Sequence, residues 1–261
     1  MGQSLKGHVA VVTGAGRGIG QAIALSLATE GASVAVCART EHEIAATAAL
    51  ISDAGARAIA LQLDVRNEVA VRSVLSETER RLGPVTLVVN NAGTPGPAGL
   101  DWEVDSRAWF ECVDVIVRGA FLVSQAVIPR MIARGSGCII NVGSITGTRT
   151  YLPITATSVA KTALIRFGEG LAAQLERHGV RVFTIHPGVV RTRLLESYSL
   201  QIPEDWFVGP ERAGALCAKL ASGRYDALSG LFLGIDDDLE GLLGRVGEIK
   251  KRELYCLRLN T

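Results

Sequence analysis

The feature that most constrains this chain lies at its start, where an apolar, strand-like run at residues 8–13 leads directly into a glycine-rich segment at residues 14–20. A helical pattern follows at residues 21–30. Glycines at such a turn let the backbone leave the strand tightly and approach a pyrophosphate, and the helix offers its unpaired N–H groups and positive dipole end to an anion. The sequence therefore predicts a dinucleotide site, with a glycine-rich turn between two core elements as the simpler alternative.

Strand-like runs alternate with helical patterns along the rest of the chain. The expected strands lie at residues 8–13, 33–38, 57–63, 85–90, 137–142, 180–186 and 230–235. Such alternation is typical of parallel strands joined by right-handed helical crossovers, with helices on both faces of the sheet. We therefore expect an α/β fold, a Rossmann-type doubly wound seven-stranded parallel sheet, with residues 1–261 forming a single domain.

Charge and hydropathy exclude several classes of partner. The 261 residues include 27 Lys and Arg against 26 Asp and Glu, so a net charge of +1 favours neither nucleic acid nor an anionic membrane. No separate apolar segment precedes the first strand, and no run approaches the length of a membrane-spanning helix. We expect a soluble, cytoplasmic protein that acts on a small molecule.

Residues that could suggest a metal site have simpler interpretations, and no metal is expected. The acidic run at residues 236–238 precedes a helical pattern at residues 239–250, where an acidic N-cap is expected. The histidines lack metal-ligand spacing. The five cysteines are scattered without a C-x-x-C pair and are expected to be reduced core residues: Cys37, Cys112, Cys138, Cys217 and Cys256.

Six motifs follow one another in a characteristic order. They are TGxxxGxG at residues 13–20, LDV at residues 63–65, NNAG at residues 90–93, Ser144, Lys161, and PG with a later threonine at residues 187–192. In this order they resemble the short-chain dehydrogenase/reductase family over nearly the whole chain. The resemblance implies a cofactor site formed by Gly14, Arg17, Gly18, Ile19, Gly20, Arg39, Asp64, Val65, Asn91, Ala92, Gly93, Lys161, Pro187, Gly188, Val190 and Thr192.

The end of the second expected strand indicates which dinucleotide is bound. NAD sites place a carboxylate there for the ribose hydroxyls, whereas NADP sites need that charge absent and a cation nearby. Here the strand ends at Ala38 without an acid and Arg39 follows, while the glycine-rich segment contributes Arg17. Guanidinium groups pair bidentately with phosphate oxygens, so we expect NADP(H) rather than NAD(H).

The expected catalytic segment departs from the family pattern. Family members carry a serine, a tyrosine thirteen residues later, and a lysine four residues further along the same helix. Ser144 and Lys161 match, but the intermediate position is Thr157. In the family mechanism the phenol transfers the hydroxyl proton as hydride moves. A threonine hydroxyl is shorter and far less acidic than a phenol, whose reference pKa is roughly 10, so we do not expect Thr157 to replace that acid.

A second departure concerns the proton relay. Family members usually have an asparagine at the position of Ile116, where it holds a water molecule that links the lysine to solvent. A tyrosine replaced to trap a complex would not explain this second change, so natural divergence is favoured. Tyr151 could present a substitute phenol, although an aromatic residue there more often lines the substrate pocket. The irregular segment at residues 194–210 carries Tyr198 and Trp206 and is expected to cover the ligands, unless its aromatics only pack that loop onto the body.

Three functions remain open. The first is an NADPH-dependent oxidoreductase acting on an alcohol, ketone or imine-type substrate, for example in a biosynthetic pathway. The second is non-redox chemistry on the same scaffold, such as cyclisation, dehydration or isomerisation, and the third is a non-catalytic NADPH-binding protein. The resemblance also implies a homodimer or homotetramer formed through the helices that hold Phe121 and Lys161.

Overall fold

The computed structural model describes residues 4–151 and 153–258. Seven parallel strands form one sheet in the order β3-β2-β1-β4-β5-β6-β7. They are β1 (Val9–Thr13), β2 (Ser33–Ala38), β3 (Ala58–Gln62), β4 (Leu87–Asn90), β5 (Gly137–Val142), β6 (Val180–His186) and β7 (Phe232–Gly234). The predicted fold is confirmed, and the ends of the predicted strands are shifted by no more than two residues.

Helices cover both faces of this sheet. They are α1 (Gly18–Thr29), α2 (Glu41–Asp53), α3 (Glu68–Leu82), α4 (Ser106–Val113), α5 (Gly119–Arg134), α6 (Thr155–Leu175), α7 (Arg193–Glu196), α8 (Glu211–Ala221), α9 (Leu239–Gly244) and α10 (Val246–Lys251). One apolar core joins the sheet to α1, α2 and α8, and a second joins it to α3, α5 and α6. Because both faces are covered, strands such as β1 are buried throughout and have no polar alternation.

The strand order creates a crevice at the carboxyl end of the sheet. The chain moves outward from β1 to β2 and β3, then returns to β4 on the other side of β1. The connections after β1 and β4 therefore diverge to opposite faces. Ligands of open α/β sheets bind at such a switch point, and this is where the glycine-rich segment lies.

The prediction that no run approaches membrane-spanning length was wrong. α4, a π-helical turn (Asp114–Arg118) and α5 form one helical stretch, Ser106–Arg134, whose most apolar 18-residue window has a mean hydropathy of 1.6. Half of that window is buried within the fold. Val123 and Val127 of α5 belong to the core beneath the sheet, so core packing accounts for the apolar composition.

The cysteines agree with their prediction, whereas the C-terminal region corrects one prediction. All five cysteines are free thiols, three of them buried. The helical pattern at residues 239–250 is two short helices, and Asp238 at the N-cap of α9 makes no side-chain capping bond, so the acidic N-cap prediction was wrong in this respect. Asp237 instead accepts from the Gly234 N–H at 2.6 Å. Leu254 and Tyr255 pack on the core, and residues 259–261 lie outside the described residues.

Candidate active site

A cavity of about 1270 Å³ opens at the carboxyl end of the sheet. Every residue that the sequence analysis assigned to the cofactor, to catalysis or to the substrate pocket lines it. The lining includes Gly14, Arg17, Gly18, Ile19, Gly20, Arg39, Asp64, Val65, Asn91, Ala92, Gly93, Ile116, Ser144, Tyr151, Thr157, Lys161, Pro187, Gly188, Val190, Thr192, Tyr198 and Trp206. Residues separated by up to 192 positions in the sequence therefore share one site.

The floor of the cavity is held by hydrogen bonds between the ends of β1 and β4. The Thr13 hydroxyl donates to the Val89 carbonyl at 3.2 Å and accepts from the N–H groups of Asn91 and Ala92. The Asn91 side chain donates in turn to the carbonyls of Thr13 and Gly14, at 2.9 and 3.1 Å. These bonds fix the glycine-rich turn against the start of the next connection.

Backbone geometry explains why two positions of this turn are glycine. Gly14 has a φ of +64°, in the left-handed region that other residues rarely adopt. A Cβ on Gly20 would lie 2.2 Å from the Gly14 carbonyl oxygen, so α1 can approach the turn only without a side chain there. The result is an open helix N-terminus facing a cradle of backbone, which fits the pyrophosphate of a dinucleotide.

The end of the cavity beside β2 carries a charge cluster that the sequence analysis missed. Glu43 of α2 accepts from Arg17 at 2.7 Å and from Arg193 at 3.3 Å. Arg39 lies close enough to Asp64 to help lower the pKa of that carboxyl, although the Asp64 side-chain bond with Arg66 contributes most. This end of the cavity therefore holds the guanidinium groups of Arg17, Arg39 and Arg193 together with the carboxylates of Glu43 and Asp64.

Lys161 and Ser144 lie at the opposite end of the cavity. The Lys161 ammonium donates to the Val142 carbonyl at 2.6 Å, and burial lowers the pKa of Lys161 to about 8. Ser144 Oγ accepts from the Thr146 N–H at 3.2 Å and from the Thr146 hydroxyl at 3.0 Å. Neither contact uses the Ser144 hydroxyl proton, so Ser144 keeps a donor for a ligand.

Thr157 lies on α6 one turn before Lys161 and belongs to a hydrogen-bond chain. Its Oγ1 is 2.5 Å from Tyr198 Oη and 3.6 Å from Cys112 Sγ. Tyr198 Oη also accepts from the Gly96 N–H at 3.0 Å, and Cys112 Sγ donates to the Thr94 carbonyl at 3.4 Å. We call this series, from the Gly96 N–H to the Thr94 carbonyl, the Thr157 chain.

The direction of the Thr157 chain follows from its donors. A carbonyl can only accept, so the Cys112 thiol proton goes to Thr94 and the sulfur must accept from Thr157. The single hydroxyl proton of Thr157 is then used, so Thr157 Oγ1 accepts from Tyr198. Burial raises the pKa of both Tyr198 and Cys112, which keeps their protons in place. Thr157 therefore has no hydroxyl proton to offer a ligand in this arrangement.

Several further lining residues were not predicted, and three of them are polar residues with a partner in the site: Glu43, Arg193 and His186. Glu43 and Arg193 lie in helices whose sequence gives no local signal of their meeting, 150 residues apart. His186, at the end of β6, also lines the cavity, and its Nδ1 accepts from the Ile145 N–H at 3.3 Å. Burial lowers the pKa of His186, so its ring is neutral near pH 7. Its place immediately before Pro187 was the signal that could have identified it.

The chain is similar to a known family over most of its length. The sequence profile described as short chain dehydrogenase matches residues 8–202. The chain belongs to the short-chain dehydrogenase/reductase family. A short chain dehydrogenase of Pseudocercospora fijiensis is 39% identical over 192 residues, which are 73% of this chain. Those residues are 62% of that relative, so this chain spans less than two thirds of its length.

Solved structures agree with the sequence comparison. A gluconate 5-dehydrogenase from Burkholderia cenocepacia, in complex with NADP and tartrate, has a TM-score of 0.83 and 30% identity, covering 91% of this chain and 96% of that one. A substituted actinorhodin polyketide ketoreductase with NADPH has a TM-score of 0.82 and 29% identity, covering 90% and 97%. Membership of this oxidoreductase family supports a nicotinamide cofactor and a small-molecule substrate.

Proposed function

We propose that this protein is an NADP(H)-dependent oxidoreductase with an atypical active site, which lacks the usual catalytic tyrosine and transfers hydride between the nicotinamide and a small organic substrate. The observation that carries the proposal is the Thr157 chain. In this chain Thr157 donates its hydroxyl proton to Cys112, so the residue beside Ser144 and Lys161 has no proton to give a ligand. Hydride acceptors that need no proton from position 157 suit such a site best. The substrate candidates are ketone/alcohol pairs and imine or iminium compounds, and iminium ions are favoured because, unlike ketones, they need no proton from position 157.

The preference for an iminium ion follows from charge. NADPH, when bound, supplies the hydride. A ketone that accepts hydride becomes an alkoxide, which must be stabilised and protonated, and this is the task of the missing phenol. An iminium ion already carries a positive charge and becomes a neutral amine. Reduction of an iminium ion therefore requires from the protein's residues only binding, orientation and a suitably shaped pocket.

A non-redox reaction is the second candidate. Ile116 is buried, with 2% of its surface exposed, at the position where the family's asparagine would hold the relay water. With neither that asparagine nor a phenol at position 157, the pocket could instead hold a reactive intermediate for cyclisation, dehydration or isomerisation, with NADPH as a structural component. A non-catalytic NADPH-binding protein is the remaining alternative.

Transfer of deuterium separates these candidates. The protein is incubated with a cyclic iminium panel and NADPH labelled stereospecifically at nicotinamide C4, and the products are analysed by mass spectrometry. Label in the product, with cofactor consumed in equal amount, is the expected result. Unlabelled product with unconsumed NADPH would establish the non-redox route, and tight NADPH binding without product would favour the non-catalytic alternative.

Lys161 gives the proposed cofactor contact a defined pH dependence. In the family this ammonium binds the nicotinamide ribose, and charge-assisted hydrogen bonds contribute about 1.5–3 kcal/mol. Because the pKa of Lys161 is lowered to about 8, the charged form is lost as pH rises through that value. NADPH affinity should then fall by about 5–10-fold between pH 7 and pH 9. Lys161→Met should bind weakly with a flat profile in calorimetry, whereas equal pH slopes in both proteins would exclude this role.

We also propose that the protein is a homodimer or homotetramer that assembles through α5 and α6. Phe121 of α5 is 45% exposed, and its ring lies 6.2 Å from that of Phe167 of α6. Val159 of α6 is 48% exposed as well. Apolar side chains exposed together on two adjacent helices are typical of an interface between subunits.

A further inference from the structure

The irregular segment at residues 194–210 is called the covering loop below. Tyr198 is buried, although the residues beside it in this loop are exposed. The side chain follows α7, and only 6% of its surface is exposed, whereas Ser197 and Ser199 are exposed. Ser199 has a φ of +49°, a left-handed conformation that residues other than glycine rarely adopt. Local backbone preference therefore does not explain the inward position of Tyr198. The contacts of the Tyr198 side chain must therefore stabilise its buried position.

Both hydrogen bonds of the Tyr198 hydroxyl are made with residues outside that loop. Tyr198 Oη meets the Gly96 N–H of the connection after β4 and Thr157 Oγ1 of α6. Both partners lie far from Tyr198 in the sequence, at separations of 102 and 41 residues. The loop is therefore tied by one phenol to two separate walls of the cavity.

The space around Thr157 is already filled by this arrangement. Thr157 is 6% exposed, and its Oγ1 lies 2.5 Å from Tyr198 Oη and 3.6 Å from Cys112 Sγ. Ala156 and Cys112 also close on Gly96, where a Cβ would lie 2.6 Å from the Ala156 Cβ. A larger side chain that extends from the position of Thr157 Oγ1 would therefore meet the Tyr198 hydroxyl, which lies only 2.5 Å from that atom.

We infer that Tyr198 occupies the space of the missing catalytic phenol without taking over its chemistry, and that it thereby sets the shape of the substrate pocket. The ring enters from the covering loop, whereas a family tyrosine would enter from α6. Its proton is directed to Thr157, so Tyr198 is a positioning residue that docks the loop and excludes a phenol from position 157. The small side chain of Thr157 and the large side chain of Tyr198 therefore fit the same space together. This inference concerns the pocket wall and does not depend on which reaction the site performs.

A size-exchange series tests the inference by thermal unfolding of the NADPH-free protein. Thr157→Tyr alone should overpack the site and lower Tm by about 2–10 °C. Adding Tyr198→Ala should restore part of that loss, because the two rings then no longer compete. The matched control adds Tyr151→Ala, which removes an equal volume from another part of the same cavity and should restore nothing.

A small-molecule readout tests the same space directly. p-Cresol, which reproduces the tyrosine side chain, should bind the cavity left by Tyr198→Ala and raise Tm in proportion to its concentration. It should have little effect on the double variant Thr157→Tyr with Tyr198→Ala, because the new side chain fills that cavity. Equal stabilisation of both variants by p-cresol, or equal rescue of Thr157→Tyr by Tyr198→Ala and Tyr151→Ala, would overturn the inference.

Discussion

NADPH should bind about 10-fold or more tightly than NADH, and Arg39→Asp should abolish or reverse this preference. β2 ends without an acid, and Arg39 and Arg17 both line the cavity at its carboxyl end. Each charge-assisted contact with the 2′-phosphate should contribute about 1.5–3 kcal/mol, which is roughly a factor of 10–100 in affinity. An aspartate at position 39 would repel that phosphate and accept from ribose hydroxyls.

Glu43 provides the matched control for this experiment. Its carboxylate holds Arg17 at 2.7 Å, so a phosphate must compete with Glu43 for that guanidinium. Glu43→Gln should therefore tighten NADPH binding while changing NADH binding little. Isothermal titration calorimetry of both cofactors with the three proteins measures these differences. Equal dissociation constants for NADPH and NADH in the unsubstituted protein would contradict the assignment of Arg39 and Arg17.

The fold was predictable because its signals are local. A parallel strand covered on both faces is a nearly continuous apolar run, so β1 and β2 stand out in the sequence. The glycine-rich turn joins strand to helix within a short run of consecutive residues, so its sequence signal is local. The prediction was weaker at the C-terminal end, where one helical pattern is two short helices and Asp238 makes no capping bond.

The site was predictable only as a set of residues. Motif order assigned Ser144, Lys161 and Thr157 to one cavity, and the structure brings them to it. The partners of those residues depend on three-dimensional contacts that no local pattern encodes. Tyr198 was expected as a pocket aromatic, but the sequence did not indicate that its hydroxyl meets Thr157. The ion pair between Glu43 and Arg17 was not predicted for the same reason.

Restoring the phenol should convert the site toward ordinary carbonyl reduction. A positioned general acid typically contributes about 10²–10⁴-fold to the rate, so the unsubstituted protein should reduce simple ketones slowly. Thr157→Tyr alone should give little gain, because Tyr198 fills the space that the new ring needs. Combined with Tyr198→Ala, and further with Ile116→Asn for the relay, it should raise kcat for ketones by about 10²-fold or more. Tyr198→Ala alone is the control and should produce no such gain.

The central claim is that this active site transfers hydride without a phenol at position 157. The most direct measurement compares kcat/KM of the unsubstituted protein for a panel of cyclic iminium ions and for ketones of the same ring size, followed through NADPH oxidation. We expect turnover of iminium compounds and slow reduction of the matched ketones, with the ratio reversed toward ketones when the phenol is restored. Efficient reduction of the ketones, together with failure of the whole iminium panel to oxidise NADPH, would contradict the claim and show that another residue, with Tyr151 first among them, supplies the proton.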